Sequence, residues 1–240
     1  MIIEPFNTKG VPGTEAIVVS FDLEGFSRFF MQQDVHLYVP DYLNTIFDAI
    51  HSIFRPARPY WLPEEAKNWL GIARQPDFVK FTGDGGIYIW IASNENEPIP
   101  LSFKVSLITD LWILKNSFGI VTKKVQNLVP LAELPARIRF GVARGTVYGL
   151  KRGLTNETAD YVGFCINLAV RLQNYCREIG FIASARMGID ETIAAKASWS
   201  KATATKLKGL GREIVFVDKD EFENLSDETR NDLFDYTPSH

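Results

Sequence analysis

Apolar and polar positions along this chain switch between two periods, and the switches mark its elements. "EAIVVSFDL" (15–23) is a β-branched run that ends on Asp22 and Leu23, and it predicts a buried strand. From "EGFSRFF" to about Phe54 the spacing turns helical, with Phe26, Phe29, Ile46, Phe47 and Ile50 among the apolar positions and Pro40 as a bend or division. "RPARPYWLPEEAKNWLGIARQP" (55–76) predicts an irregular connector with a short helix from Pro63 to about Gly71. "FVKFTGDGGIYIW" (78–90) reads as two apolar runs around a glycine-pinched turn, hence a hairpin.

After the turn-rich "SNENEPIP", residues 101–118 have helical spacing and "VQNLVPLAELPA" reads as a loop. "RIRFGVARGTVYGL" (137–150) alternates like a strand, and "TNETADYVG" reads as another loop. "FCINLAVRLQNYCREIG" (164–180) predicts a helix that Gly180 stops. "FIAS" is a short strand, "IDETIAAKA" a helix that Asp190 can cap, and "LKGLGREIVFVD" (207–218) a strand or hairpin. This order predicts an α+β fold: a ferredoxin-like βαββαβ core on an antiparallel-containing sheet, with additional C-terminal strands and helices. Residues 1–217 read as a single catalytic domain. Residues 218–240 read as an acidic tail, with eight acids against Lys219 and Arg230 as far as Tyr236, solvated as a helix or partly disordered.

Composition narrows the function classes. The formal net charge of −3 gives no electrostatic footprint for nucleic acid. The two cysteines, Cys165 and Cys176, lack the spacing of a zinc site or a disulfide framework and read as reduced cytosolic thiols. "MIIEPFNTKGVPG" has no basic region followed by an apolar one, and no apolar stretch approaches the roughly 18 residues of a membrane span. A cytoplasmic protein with no membrane partner is the expectation.

Two acids stand out. Asp22 ends the first apolar strand, and Asp84 sits between Gly83 and Gly85 at the hairpin tip. Each has a plainer use alone, Asp22 as a helix cap and Asp84 as a turn residue. If strand and hairpin are sheet neighbours, however, the two carboxylates meet at one end. Two hard oxygen ligands on rigid backbone are what Mg²⁺ needs when substrate phosphates complete its shell. The turn after Asp22, Gly25–Phe26–Ser27, opens a helix whose free N–H groups can cradle a polyphosphate.

With those residues in view, a resemblance emerges. "FDLEGFS" and "FVKFTGDGG" resemble the two metal-binding segments of the class III nucleotidyl cyclases. "RIRFGVARGTVYGL" is similar to that family's central strand, "DYVGFCINLAVRLQ" to the loop and helix that complete its active site, and "LKGLG" to its phosphate-contacting turn. The five segments stand in family order over residues 15 to about 217. The resemblance implies that Asp22 and Asp84 hold two divalent ions (Mg²⁺ or Mn²⁺), that Asn167 orients the ribose, and that Arg171 stabilises the transition state. Asn167 and Arg171 are four apart and so share one helix face. Lys208 matches a lysine that contacts the triphosphate. In this family the metal acids come from one protomer and the Asn–Arg helix from the other, so a homodimer with composite sites is implied.

The base is read at Lys80 and Asp160, which match the positions where adenylyl cyclases carry lysine and aspartate, and the pair disfavours GTP. The absence of a sensor or membrane module, and Phe164 in place of a small polar residue, resemble instead the stand-alone pyrimidine cyclases of bacterial Pycsar anti-phage systems. A bulky aromatic there selects the smaller ring. The expectation is therefore a pyrimidine cyclase, UTP ahead of CTP, whose cyclic product a separate effector protein senses. The alternatives are an adenylate cyclase making cyclic AMP and a non-catalytic nucleotide-binding module. A diguanylate-cyclase reading of "TGDGG" is opposed by the Asn167–Arg171 helix and by the lack of an acid-bearing "GGDEF"-type turn.

Overall fold

The computed structural model describes residues 6–7, 11–52, 61, 74–93, 97–129, 131, 133–152 and 158–236. The short helix expected at Pro63 to about Gly71 lies outside the described residues. The elements in chain order are β1 (Phe6–Asn7), β2 (Thr14–Glu24), α1 (Phe26–Phe30), α2 (Val39–Ser52), β3 (Phe78–Phe81), β4 (Gly85–Ile91), α3 (Leu101–Gln126) and β5 (Arg137–Arg152). They continue with β6 (Thr158–Val162), α4 (Phe164–Gln173), β7 (Phe181–Ser184), α5 (Glu191–Lys196), β8 (Trp199–Leu207), β9 (Gly211–Asp218), α6 (Lys219–Glu223), α7 (Asp227–Leu233) and β10 (Phe234–Asp235). The main sheet runs β10-β8-β9-β7-β5-β2-β4-β3, with β1 and β6 paired to the long β5. Every pairing is antiparallel except β5 with β7, which the α4 crossover joins. This is the expected α+β, mostly antiparallel fold.

β2 is buried because its two faces both meet helices. Ile17, Val19, Phe21 and Leu23 pack with Tyr88, Trp90 and Phe140 under α2 and α3. Ala16 and Val18 pack with Ala143 against Leu168, Ala169 and Leu172 of α4. The α4 side is built from small residues for a reason: a Cβ on Gly141 would lie 2.0 Å from the carbonyl oxygen of Ala169 and 2.3 Å from the amide of Gln173. Helix and sheet backbones are in contact there, with no room for a side chain between them.

Several expectations change. Pro40 stands in the first turn of α2, where a missing N–H costs nothing, and a 3₁₀ turn at Val35–Leu37 separates α2 from α1. α3 continues to Gln126 into the stretch read as loop, and α4 ends at Gln173, short of Gly180. Thr158–Val162, read as loop, is β6. Trp199–Leu207 forms β8, a strand whose small alternating Ala202 and Ala204 face the core. Asp190 does cap α5, its Oδ1 accepting from the Thr192 N–H at 2.7 Å.

The C-terminal segment is not solvated as an acidic tail. Phe222 of α6 and Leu225, between α6 and α7, are buried, and β10 adds to the sheet edge at β8 with Phe234 in the core. Asp218 caps α6 through the Glu221 N–H and accepts from Trp112 Nε1 and Lys115 Nζ at 2.5 and 2.9 Å. Burial alone would raise the Asp218 carboxyl; these donors overcome it and hold it below the usual range. Apart from buried Asp218 and half-buried Glu221, the acids lie on the outside of a segment that three apolar side chains fix.

Candidate active site

Asp22 lies inside the ladder, opposite Gly85 on β4 and Arg139 on β5. That register brings the hairpin tip beside it, with the Leu23 N–H donating to the Asp84 carbonyl at 2.9 Å. Two glycines make the approach possible. A Cβ on Gly85 would sit 1.9 Å from the Phe21 carbonyl oxygen, and Gly83 takes a φ of +106°, in the region glycine favours. Asp84 is exposed at the tip and Asp22 half-buried.

The electrostatics at this end are those of a carboxylate pair. Burial raises the Asp22 carboxyl above its ordinary value, Arg139 opposes this, and the neighbouring Asp84 adds to it. Arg139 Nη2 donates to Asp22 Oδ2 at 2.5 Å, and its buried Nε has no hydrogen-bond partner among the described residues. Nothing local in the alternating strand 137–150 sets Arg139 apart. Its role depends on register, which places it directly opposite Asp22.

The residues fit a divalent cation. Two carboxylates converge on rigid backbone, one of them desolvated and repelled by the other, and a bound Mg²⁺ or Mn²⁺ relieves both penalties. Among the described residues there is no group of three or more His, Cys, Asp or Glu that could hold a metal alone.

The turn beyond Asp22 is shaped for close approach. Gly25 has a φ of +93° and α1 begins at Phe26. The Phe26 side chain is buried in the core and Ser27 is exposed. A cavity of about 450 Å³ adjoins this turn, lined by Glu24, Gly25, Arg28 and Arg137 among others.

The remaining expected residues form two further pairs. Lys80 on β3 and Asp160 on β6 make an ion pair, and Asp160 Oδ1 also accepts from the Tyr161 N–H. Arg171 donates to the Lys208 carbonyl at the β8–β9 turn, where Gly209 is left-handed with a φ of +73°. On α4 the sheet-facing side is Cys165, Leu168, Ala169 and Leu172, all buried. Asn167 is exposed on the outer side and Arg171 half-buried beside Lys208. Among the described residues no hydrogen bond or ion pair joins Asp22 or Asp84 to Asn167, Arg171, Lys80 or Asp160. The fold thus displays its acids and its Asn–Arg face separately.

No protein-family model and no curated protein matches the sequence. Solved structures do. The chain is similar to the guanylyl cyclase Cya2 at 17% identity, over 87% of this chain and 93% of that one, with a TM-score of 0.55. It is similar to the adenylyl cyclase CyaB from P. aeruginosa at 14% identity, over 86% and 95%, with a TM-score of 0.59. A bacterial light-regulated adenylyl cyclase matches at 15% identity over 88% of this chain and 54% of that one, with a TM-score of 0.56. The chain has the class III nucleotidyl cyclase fold.

Proposed function

We propose that this protein is a nucleotide cyclase, converting a ribonucleoside triphosphate to its 3′,5′-cyclic monophosphate and pyrophosphate. The observation that carries the reading is the convergence of Asp22 and Asp84 through the β2–β4 register, on a fold similar to those of two named cyclases. In the reaction the ribose 3′ oxygen attacks the α-phosphorus, the bond to the β-phosphate bridging oxygen breaks, and the 3′ proton passes to solvent. Two divalent cations held by Asp22 and Asp84 would supply positive charge at the attacking and leaving oxygens. Gly25, Phe26 and Ser27 offer N–H groups to the polyphosphate. Arg139, paired with Asp22 at this end of the sheet, would add a positive charge beside the polyphosphate.

Asn167 orients the ribose and Arg171 neutralises charge gathering on the phosphoryl group. Both lie on the side of α4 away from the sheet, which supports the reading, implied by the resemblance, that they serve the acids of a second copy in a head-to-tail homodimer with two composite sites. Val79, Phe81, Val162 and Phe164 are exposed apolar side chains that such a partner would cover. Lys208 contacts the triphosphate.

For the base, Lys80 donates to a ring carbonyl and Asp160 accepts from a ring N–H. Phe164, 48% exposed and three residues before Asn167, narrows the pocket toward a pyrimidine, UTP ahead of CTP. The product then signals to a separate effector in a cytoplasmic, Pycsar-like anti-phage role. No helix among the described residues is long and apolar enough to cross a membrane. The adenylate reading is kept because the Lys80–Asp160 pair matches adenylyl cyclases.

The test is one assay of all four ribonucleoside triphosphates with Mn²⁺ or Mg²⁺. A pyrimidine cyclic monophosphate is expected; cyclic AMP would move the assignment to adenylate, and no turnover would leave a nucleotide-binding module. Asp84→Ala should lower the rate at least about a hundredfold with the fold intact by circular dichroism.

A further inference from the structure

β8 leaves its ladder with β9 between Ala204 and Leu207, and the bulge frees two backbone N–H groups from strand pairing. Both go to a single atom. The amides of Thr205 and Lys206 donate to Tyr175 Oη at 2.9 and 3.0 Å. The same hydroxyl donates its own proton to the Leu233 carbonyl of α7, which also accepts from Thr205 Oγ1 at 3.0 Å. A phenol has one O–H and two lone pairs, so Tyr175 is saturated at this node. Its ring stands edge-on to Phe234, with centroids 5.3 Å apart, and Phe234 stands edge-on to Phe222 at 5.3 Å. The ion pairs Lys206–Asp232 and Arg212–Asp235 lie outside this node, exposed and contributing little.

The bulge runs straight into the Lys208–Gly209 turn, whose Lys208 carbonyl accepts from Arg171. Arg171 and Tyr175 are four residues apart, so one short segment holds the turn at two points: its tip through Arg171 and its base through Tyr175. Behind Tyr175 stands the C-terminal segment, α6, α7 and β10, which the acidic composition had suggested was solvated.

We propose that Tyr175, braced by residues 219–236, is a positioning residue for the Arg171–Lys208 end of the site. It fixes the β8 bulge, the bulge sets where the turn stands, and the turn holds both the Lys208 ammonium and the guanidinium of Arg171 toward a triphosphate. The inference rests on the cyclase reading above.

Tyr175→Phe keeps the ring and its packing while removing the hydroxyl. Amide exchange at Thr205 and Lys206 should accelerate about tenfold, the order expected for a lost hydrogen bond. Calorimetric affinity for pyrophosphate and kcat/KM for the triphosphate should each fall about tenfold. The Mn²⁺ concentration for half-maximal activity should not change, because Asp22 and Asp84 belong to another part of the sheet. A variant with a lower melting temperature but pyrophosphate affinity and kcat/KM within about twofold of the parent would make Tyr175 a purely structural residue and overturn the proposal. Unchanged exchange at Thr205 and Lys206 would overturn the clamp itself. A parent protein that turns over no triphosphate would instead overturn the cyclase reading, while accelerated exchange in the variant would still establish the clamp.

Discussion

The acid end and the Arg171 end of this molecule are held in different ways. At the acid end, position is dictated by backbone: Asp22 and Asp84 meet because β2 and β4 pair in one register and two glycines permit the approach. At the other end, position is dictated by side chains: Arg171 grips a turn carbonyl, and Tyr175 fills a bulge between β8 and α7. A ladder tolerates no half-measures, because a one-residue slip moves every side chain to the other face. A side-chain clamp can loosen by degrees. The comparison teaches that metal binding should be all-or-none with respect to the fold, whereas triphosphate positioning should be adjustable.

The largest effect expected from this contrast is at Gly85. Gly85→Ala drives a Cβ into the Phe21 backbone carbonyl, and no flexible group is available to yield. Destabilisation on the order of 3 kcal/mol is expected in urea unfolding, with loss of metal-dependent stabilisation. If the variant unfolds like its parent, the acid end is not governed by backbone packing. Tyr175→Phe is the matching substitution at the other end, and its graded losses complete the contrast.

A smaller effect concerns protons. The Asp22 carboxyl is raised in the folded protein, chiefly by burial and further by Asp84, against the pull of Arg139. Its contribution to stability is complete below the ordinary carboxylate range and is lost as pH rises through the raised folded value. A divalent cation reverses this, since it captures the ionised form, so the stabilisation by Mg²⁺ should grow as pH rises through the same window. Asp84→Asn removes the neighbouring charge and should lower the Asp22 midpoint in a carboxyl-carbon NMR titration. An unmoved midpoint would mean that the two carboxylates do not sense each other.

The acid end was legible in sequence because its parts are local: a β-branched run closing on an acid, and an acid among glycines between two apolar runs. Arg139 was not, because it meets Asp22 only through strand register over 117 positions of chain. β6 was missed because Thr158 and Asp160 make it look like loop, and β5 is long enough to pair with it. The C-terminal brace was missed because Phe222, Leu225 and Phe234 are three apolar residues among eight acids, and composition over such a stretch outweighs the positions that fold it. Small residues hid β8 in the same way: Ala202 and Ala204 carry little strand signal but fit a tightly packed face.

The central claim is that acids and Asn–Arg face belong to different copies, and mixing two disabled variants tests it most directly. Asp22→Asn removes one half of both sites and Arg171→Ala the other, so each homodimer should be inactive. On mixing and re-equilibration, half the dimers carry one variant of each kind, and each of these regains one intact site of two, giving about a quarter of parental activity. Recovery near that level would establish the composite site. Activity of the mixture no higher than that of either variant alone, with subunit exchange verified by mass, would contradict it.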